Sequence, residues 1–123
     1  MELELTTAMA TEADFDAISA LPLEFSAYET GNVQVWRNEE MEIVAVARWG
    51  DTDINNLHFF EVVRHFRDCG LGAQIIRNVL ATGRVITLEE IDNAACARFW
   101  HRLGFPVDGR VLANGRVWHA PRD

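Results

Sequence analysis

The spacing of hydrophobic and polar positions along the chain changes period several times, and each change marks an element. Val33 and Val35, then Met41, Ile43, Ala45 and Ala47, alternate with polar or opposite-face residues. That period of two predicts two adjacent strands joined by a hairpin around Arg37-Asn38-Glu39-Glu40. A turn from Gly50 to Asn56 leads into residues 57–63, a run rich in aromatics and valine that reads as a central strand. The period then lengthens. Leu71, Ile75, Ile76, Val79 and Leu80 form the buried stripe of a helix over 71–81, which Thr82-Gly83 ends. Val85-Ile86-Thr87-Leu88 returns to a strand pattern. Cys96, Phe99, Trp100 and Leu103 give a second helical stripe, starting near Asp92 or Asn93 and stopped by Gly104-Phe105-Pro106.

The two ends complete the reading. A short strand is predicted at 2–6, followed by a helix with Thr11 as its cap and Asp14 three positions later, an approximation to a capping box. Ala13, Ala17, Ile18 and Leu21 line one side of that helix before Pro22 interrupts it, and 23–31 reads as loop or irregular helix. Val107 and Val111 to Val117 supply a closing hairpin around Asn114-Gly115. The expected product is one strand-rich α/β domain over residues 1–123, without repeats or an internal linker.

Composition narrows the functions open to it. Of 123 residues 49% are hydrophobic, enough for a single core. Eleven basic residues against nineteen acidic ones give a net charge of -8, which disfavours nucleic acid and anionic membrane as partners and suits a cationic one. Glu24, Glu29, Glu39, Glu40 and Glu42 can attract a protonated amine, or simply form a solvated face, and Tyr28, Trp36 and Trp49 can line a groove or pack the sheet. Met1 to Leu5 alternate and carry acid, unlike a secretory leader, and no apolar run is long enough to span a membrane, so a cytoplasmic location is expected. Cys69 and Cys96 make no disulfide framework. His58, His65, His101 and His119 are scattered, and no metal is expected.

The densest chemistry lies between the central strand and the first long helix. In Arg67-Asp68-Cys69-Gly70-Leu71-Gly72-Ala73 the glycines permit unusual backbone angles and close approach, so several N–H groups can face a phosphate at a helix N-terminus. An ordinary strand-to-helix turn is the plainer alternative. A nucleotide P-loop requires lysine followed by serine or threonine, which is absent after Gly72. A dinucleotide fingerprint requires a third glycine where Ile75 stands, and glycines directly at the strand end rather than after residues 64–69.

Two segments together carry a family resemblance. Val63 to Gly72 resembles the acyl-CoA-binding signature of the GCN5-related N-acetyltransferases, which runs Arg or Gln, two residues, Gly, one residue, then Gly or Ala. Asn93 to Phe105 resembles that family's Asn-containing helix ending in Leu-Gly-Phe. The resemblance covers about residues 57–105 and implies a mixed, mostly antiparallel sheet flanked by helices, with a compact N-terminal region. It implies acetyl-CoA as acyl donor, a primary amine of a small molecule or peptide as acceptor, and a homodimer. The backbone of Arg67, Asp68, Cys69, Gly70, Leu71, Gly72 and Ala73 would receive the pyrophosphate, with charge from Arg67 or with Arg67 as an anchor. The pantetheine arm would enter a splay between 57–63 and 85–88, guided by Val62 and Val63, with Asn93 on the arm or as a helix cap. Glu61, Glu89 or His58 would take the amine proton, Glu61 on the strand face of Leu57, Phe59 and Val63 and His58 on that of Phe60 and Val62. The position that in the family frequently holds a tyrosine acid is Trp100, which can shape the acyl pocket but is a poor proton donor. That departure raises the alternative of a catalytically weak or inactive acyl-CoA-binding or protein-interaction domain.

Overall fold

The predicted hairpin forms the middle of a four-stranded antiparallel sheet whose strands neighbour one another in chain order. A computed structural model describes residues 3–24, 31–88, 90–91, 94–105 and 117–118. The elements are β1 (Thr6–Met9), α1 (Glu12–Ser19), β2 (Asn32–Arg37), β3 (Ile43–Trp49), β4 (Leu57–Val62), a 3-10 turn (Arg64–Phe66), α2 (Leu71–Ala81), β5 (Glu90–Ile91), α3 (Ala94–Arg102) and β6 (Val117–Trp118). β5 and β6 pair with each other as a second, antiparallel sheet. This is the mixed α/β architecture expected, a mainly antiparallel sheet with helices against it. Among the described residues no helix is long and apolar enough to cross a membrane.

The sheet buries both faces. Ala45, Ala47 and Trp49 of β3, with Trp36 of β2, pack beneath Leu71, Ile75, Ile76 and Val79 of α2 and Trp100 of α3. On the opposite face Val33, Val35, Ile43 and Val46 pack with Ile18 of α1. Six of the seven β3 residues are therefore buried, and their burial does not alternate as a half-solvated strand would. Truncating a fully buried side chain such as Ile75 to alanine costs about 2–5 kcal/mol at sites of this kind.

Local chemistry sets the element ends. Thr11 Oγ1 accepts from the Asp14 N–H while Asp14 Oδ2 accepts from the Thr11 N–H at 2.8 Å, a complete capping box. Met41, expected at the start of a strand, lies in the hairpin turn with φ +65°. Two expectations are corrected, and a third lies largely outside the described residues. The first strand is 6–9 and not 2–6, because the Leu3 backbone is held by Gln74 of α2 and pairing with β2 begins at Thr6 opposite Arg37. The 85–88 segment contributes one parallel bridge, between Asn56 and Thr87, rather than a strand. Of the closing hairpin, Val117–Trp118 is a strand and 106–116 lie outside the described residues.

Candidate functional site

The outer side of β4 is shaped by a bulge. β3 and β4 pair from Ala45 opposite Val62 to Arg48 opposite Phe59, after which Trp49 faces Leu57, so His58 is the extra residue. The extra residue changes the phase of the strand. Leu57, expected to share a face with Phe59 and Glu61, packs instead with Phe60 and Val62 in the α2-side core, while Phe59 packs on the α1 side.

The same phase change limits the pairing along that strand edge among the described residues. Thr87 N–H donates to Asn55 C=O and Leu57 N–H to Thr87 C=O, each at 3.0 Å. A parallel ladder continuing from there needs the backbone of Phe59 to face outward. Val63 N–H donates inward to Val44 C=O at 2.8 Å, and alternation places Phe59 inward too, with Phe60 and Val62 outward. The ladder therefore stops after one bridge among the described residues. Both backbone groups of Phe60 and the N–H of Val62 face that edge with no described partner. Val63, expected to offer its backbone there, has its N–H committed to β3, and Val62 C=O accepts from Arg67 Nε at 2.9 Å.

Beyond the strand the chain turns sharply into α2. Asp68 (φ +65°) and Gly70 (φ +79°) both adopt the left-handed region, and Gln74 N–H to Gly70 C=O at 3.1 Å is the first bond of the helix. No described group accepts from the amides of Asp68, Cys69, Gly70, Leu71, Gly72 or Ala73. α2 also lacks a side-chain cap and any acid in its first turn, whereas α1 carries Thr11, Glu12 and Asp14. An uncapped helix start with no acid in its first turn leaves its N–H groups and positive dipole end for an anion, with Asp68 just before the helix as the one opposing carboxylate on this segment. At Gly70 a Cβ would meet nothing within 4 Å, so the approach is open. At Gly72 it would stand 3.3 Å from Phe99 Cε1 and 3.5 Å from Val62 Cγ2, so this glycine lets the first helical turn close against α3 and β4. Leu71 is buried as the first core residue of the helix, and exposed Cys69 donates its thiol to Phe66 C=O at 3.1 Å.

The side chains are distributed differently from the backbone groups. His58 is exposed and its Nε2 rests against the Gly50 turn. It stands four residues from Val62, roughly 13 Å along a strand rising about 3.3 Å per residue. Glu61 is 11% exposed, and its Oε2 accepts from Arg67 Nη2 at 3.1 Å and from the Glu24 N–H at 2.6 Å. Arg67 Nη1 also lies 3.4 Å from Glu24 Oε1, so its charge faces two carboxylates. Trp100 is buried edge-on against Phe99, Phe105 and Phe60 at centroid distances of 5.0, 5.1 and 6.4 Å. Glu89 and Asn93 lie outside the described residues. A groove of about 500 Å³ opens beside the 3-10 turn at Arg64–Phe66, lined among others by Leu21, Pro22, Glu42, Val63, His65 and Phe66. Sequence reasoning missed Phe60, whose outward backbone follows from the bulge, and Phe99, whose contact needs Gly72. It gave Glu24 only as part of an acidic face. Phe99 stands on the predicted stripe of the second helix and within the Asn93 to Phe105 segment, but its contact with Gly72 needs the tertiary structure.

A mainly antiparallel sheet whose parallel contact with 85–88 ends after one bridge among the described residues, followed by a helix start without a side-chain cap, is similar to the GNAT-like fold of solved acetyltransferases. Solved structures bear out this fold. The solution structure of apo YjaB from Escherichia coli aligns with a TM-score of 0.64 and 14% identity over 95% of each chain. A GNAT-family acetyltransferase from Listeria monocytogenes aligns with 0.63 and 19% over 95% of this chain and 94% of its own. Mutant forms of the spermidine/spermine N-acetyltransferase SpeG from Vibrio cholerae align with 0.63 and 14% over 97% and 92%. No protein-family model and no curated protein matches the sequence.

Proposed function

We propose that this chain belongs to the GCN5-related N-acetyltransferases and transfers the acetyl group of acetyl-CoA to a primary amine of a small molecule or peptide. The observation that carries the reading is the run of amides from Asp68 to Ala73 with no described acceptor, leading into the uncapped first turn of α2, which holds no acid and suits a pyrophosphate. Acetyl-CoA fits the residues present. Gly70 leaves the approach open, Gly72 closes the helix onto Val62, and the outward backbone of Phe60 and Val62 offers an edge for the amide-bearing arm. The cofactor supplies a thioester whose carbonyl the amine nitrogen attacks. The C–S bond breaks, an amide forms, and the proton lost by nitrogen is balanced by protonation of the departing sulfur. An amine acceptor is supported by the likeness to a relative named for spermidine and spermine and by the net charge of -8. Glu61 is held by Arg67 and Glu24 and His58 sits at the far end of the strand, so we favour Glu89 or solvent water for proton removal over either.

A second reading, an acyl-CoA-binding domain without turnover, is favoured by Trp100, whose buried indole has no phenolic proton to give the sulfur. Calorimetric titration with acetyl-CoA, with CoA and ATP for comparison, followed by thiol-release assays over a panel of primary amines, separates the readings. Saturable acetyl-CoA binding with turnover supports the transferase, binding without turnover across the panel supports the second reading, and no binding by folded protein ends both. All eleven cationic residues are arginine, so no lysine of this chain competes as acceptor.

A further inference from the structure

One guanidinium joins three parts of the fold beside the glycine turn. Arg67 Nε donates to Val62 C=O at 2.9 Å, Nη2 to Glu61 Oε2 at 3.1 Å, and Nη1 reaches Glu24 Oε1 at 3.4 Å. Glu61 Oε2 also accepts from the Glu24 N–H at 2.6 Å, so the carboxylate holds the backbone after α1 as well as the arginine. The two sides tied together each contribute to the lining of the groove, Leu21 and Pro22 from one and Val63, His65 and Phe66 from the other, with the β2–β3 hairpin residues Met41 and Glu42 lining it as well. Arg67 is followed directly by Asp68 and Gly70, whose left-handed backbone aims the open amides.

We infer that Arg67 and Glu61 act as a positioning pair, clasping the segment at Glu24 to the end of β4 and thereby fixing the phosphate-facing turn. Arg67 does this through its planar three-way donor set and not as a charge on the cofactor, since two carboxylates already face it. Glu61 is the acceptor at the centre of the clasp. Among the described bonds its carboxylate accepts from Arg67 and the Glu24 N–H and from no amide of residues 68–73, which makes the coupling testable: removing its charge should disturb amides it does not touch. The expected effect on the cofactor rests on the acetyl-CoA reading, whereas the effect on the turn does not.

The test uses the whole chain, as wild type, Glu61→Gln, Arg67→Met, Arg67→Lys and the Glu61→Gln/Arg67→Met double variant, each first shown to be folded by its thermal transition. In ligand-free protein, 15N relaxation of residues 68–73 should give order parameters near about 0.85 in wild type and toward about 0.6 in either single variant. Acetyl-CoA affinity should fall about 3- to 10-fold in Glu61→Gln and in Arg67→Met, with no further loss in the double variant. Arg67→Lys should recover little, since an ammonium lacks the fork. Unchanged order parameters in both single variants overturn the clasp, as does additive loss in the double variant. If wild type fails to bind acetyl-CoA, the functional reading falls while the relaxation data still decide the clasp. Intact affinity in Glu61→Gln with a collapsed kcat and an altered pH profile would make Glu61 a catalytic residue instead.

Discussion

Gln74 and Leu3 are joined by both hydrogen bonds that a neighbouring strand would offer. Leu3 N–H donates to Gln74 Oε1 at 3.0 Å, and Gln74 Nε2 donates to Leu3 C=O at 2.6 Å. Gln74 is 5% exposed and lies among the core-facing positions of α2, so its amide has no access to bulk water in compensation. Gln74→Ala should lower stability by about 1–3 kcal/mol, toward the lower end because Leu3 is half exposed and can rehydrate. Urea midpoints at constant m-value measure this, and an unchanged midpoint would remove the contact from the energetics.

Gly72 and Gly70 should respond differently to a side chain. At Gly72 the φ angle is ordinary and space is limiting, with Phe99 Cε1 3.3 Å from a new Cβ. Alanine there should be tolerated, because a helix-propensity gain of about 1 kcal/mol offsets the contact, whereas Gly72→Leu should cost about 1–3 kcal/mol by overpacking. At Gly70 space is open and φ is +79°, so Gly70→Ala should cost about 1–2 kcal/mol from backbone strain alone. Denaturation curves of the three variants check the ordering.

Asp68 places a carboxylate beside amides suited to an anion, in a left-handed conformation. Asp68→Gly should relieve up to about 1 kcal/mol of strain, and both Asp68→Gly and Asp68→Asn should tighten acetyl-CoA binding by removing the like charge. The asparagine variant separates charge from backbone, since it keeps tolerance of the left-handed region. Calorimetry at low and high salt should show the gain shrinking as salt screens it. Equal affinities at low salt would place the pyrophosphate elsewhere.

Acid should weaken the fold partly through Asp14. The Thr11 N–H and the Arg37 guanidinium, 2.6 Å from Oδ1, hold its carboxyl below the ordinary 3.8 against the opposing effect of burial. The folded state thus binds the proton less tightly than the unfolded chain. Its stabilising contribution is complete well above pH 3.8 and declines as pH falls through the lowered value. The drop in urea midpoint between pH 7 and pH 3 should be smaller in Asp14→Asn than in wild type. An equal drop would show that other carboxylates carry the acid sensitivity.

Sequence by itself determined the elements whose cause is local. The stripe of Leu71, Ile75, Ile76 and Val79 and the hairpin between Val33 and Ala47 are readable because periodicity is a property of neighbours on one segment. The turn at Asp68 to Gly72 was legible for the same reason, since glycine spacing at a strand-to-helix junction reports backbone freedom directly. What only the tertiary structure decided depends on pairing between distant segments. The bulge at His58 is fixed by the register of β4 on β3, and it moved Leu57 to the other core and turned Phe60 outward. Arg67 meets Glu24 across 43 residues, so no spacing rule along the chain could reveal which carboxylates its guanidinium faces. A one-residue shift in register reverses every face beyond it, and that choice is made by packing across the whole sheet, not by the residues of one strand.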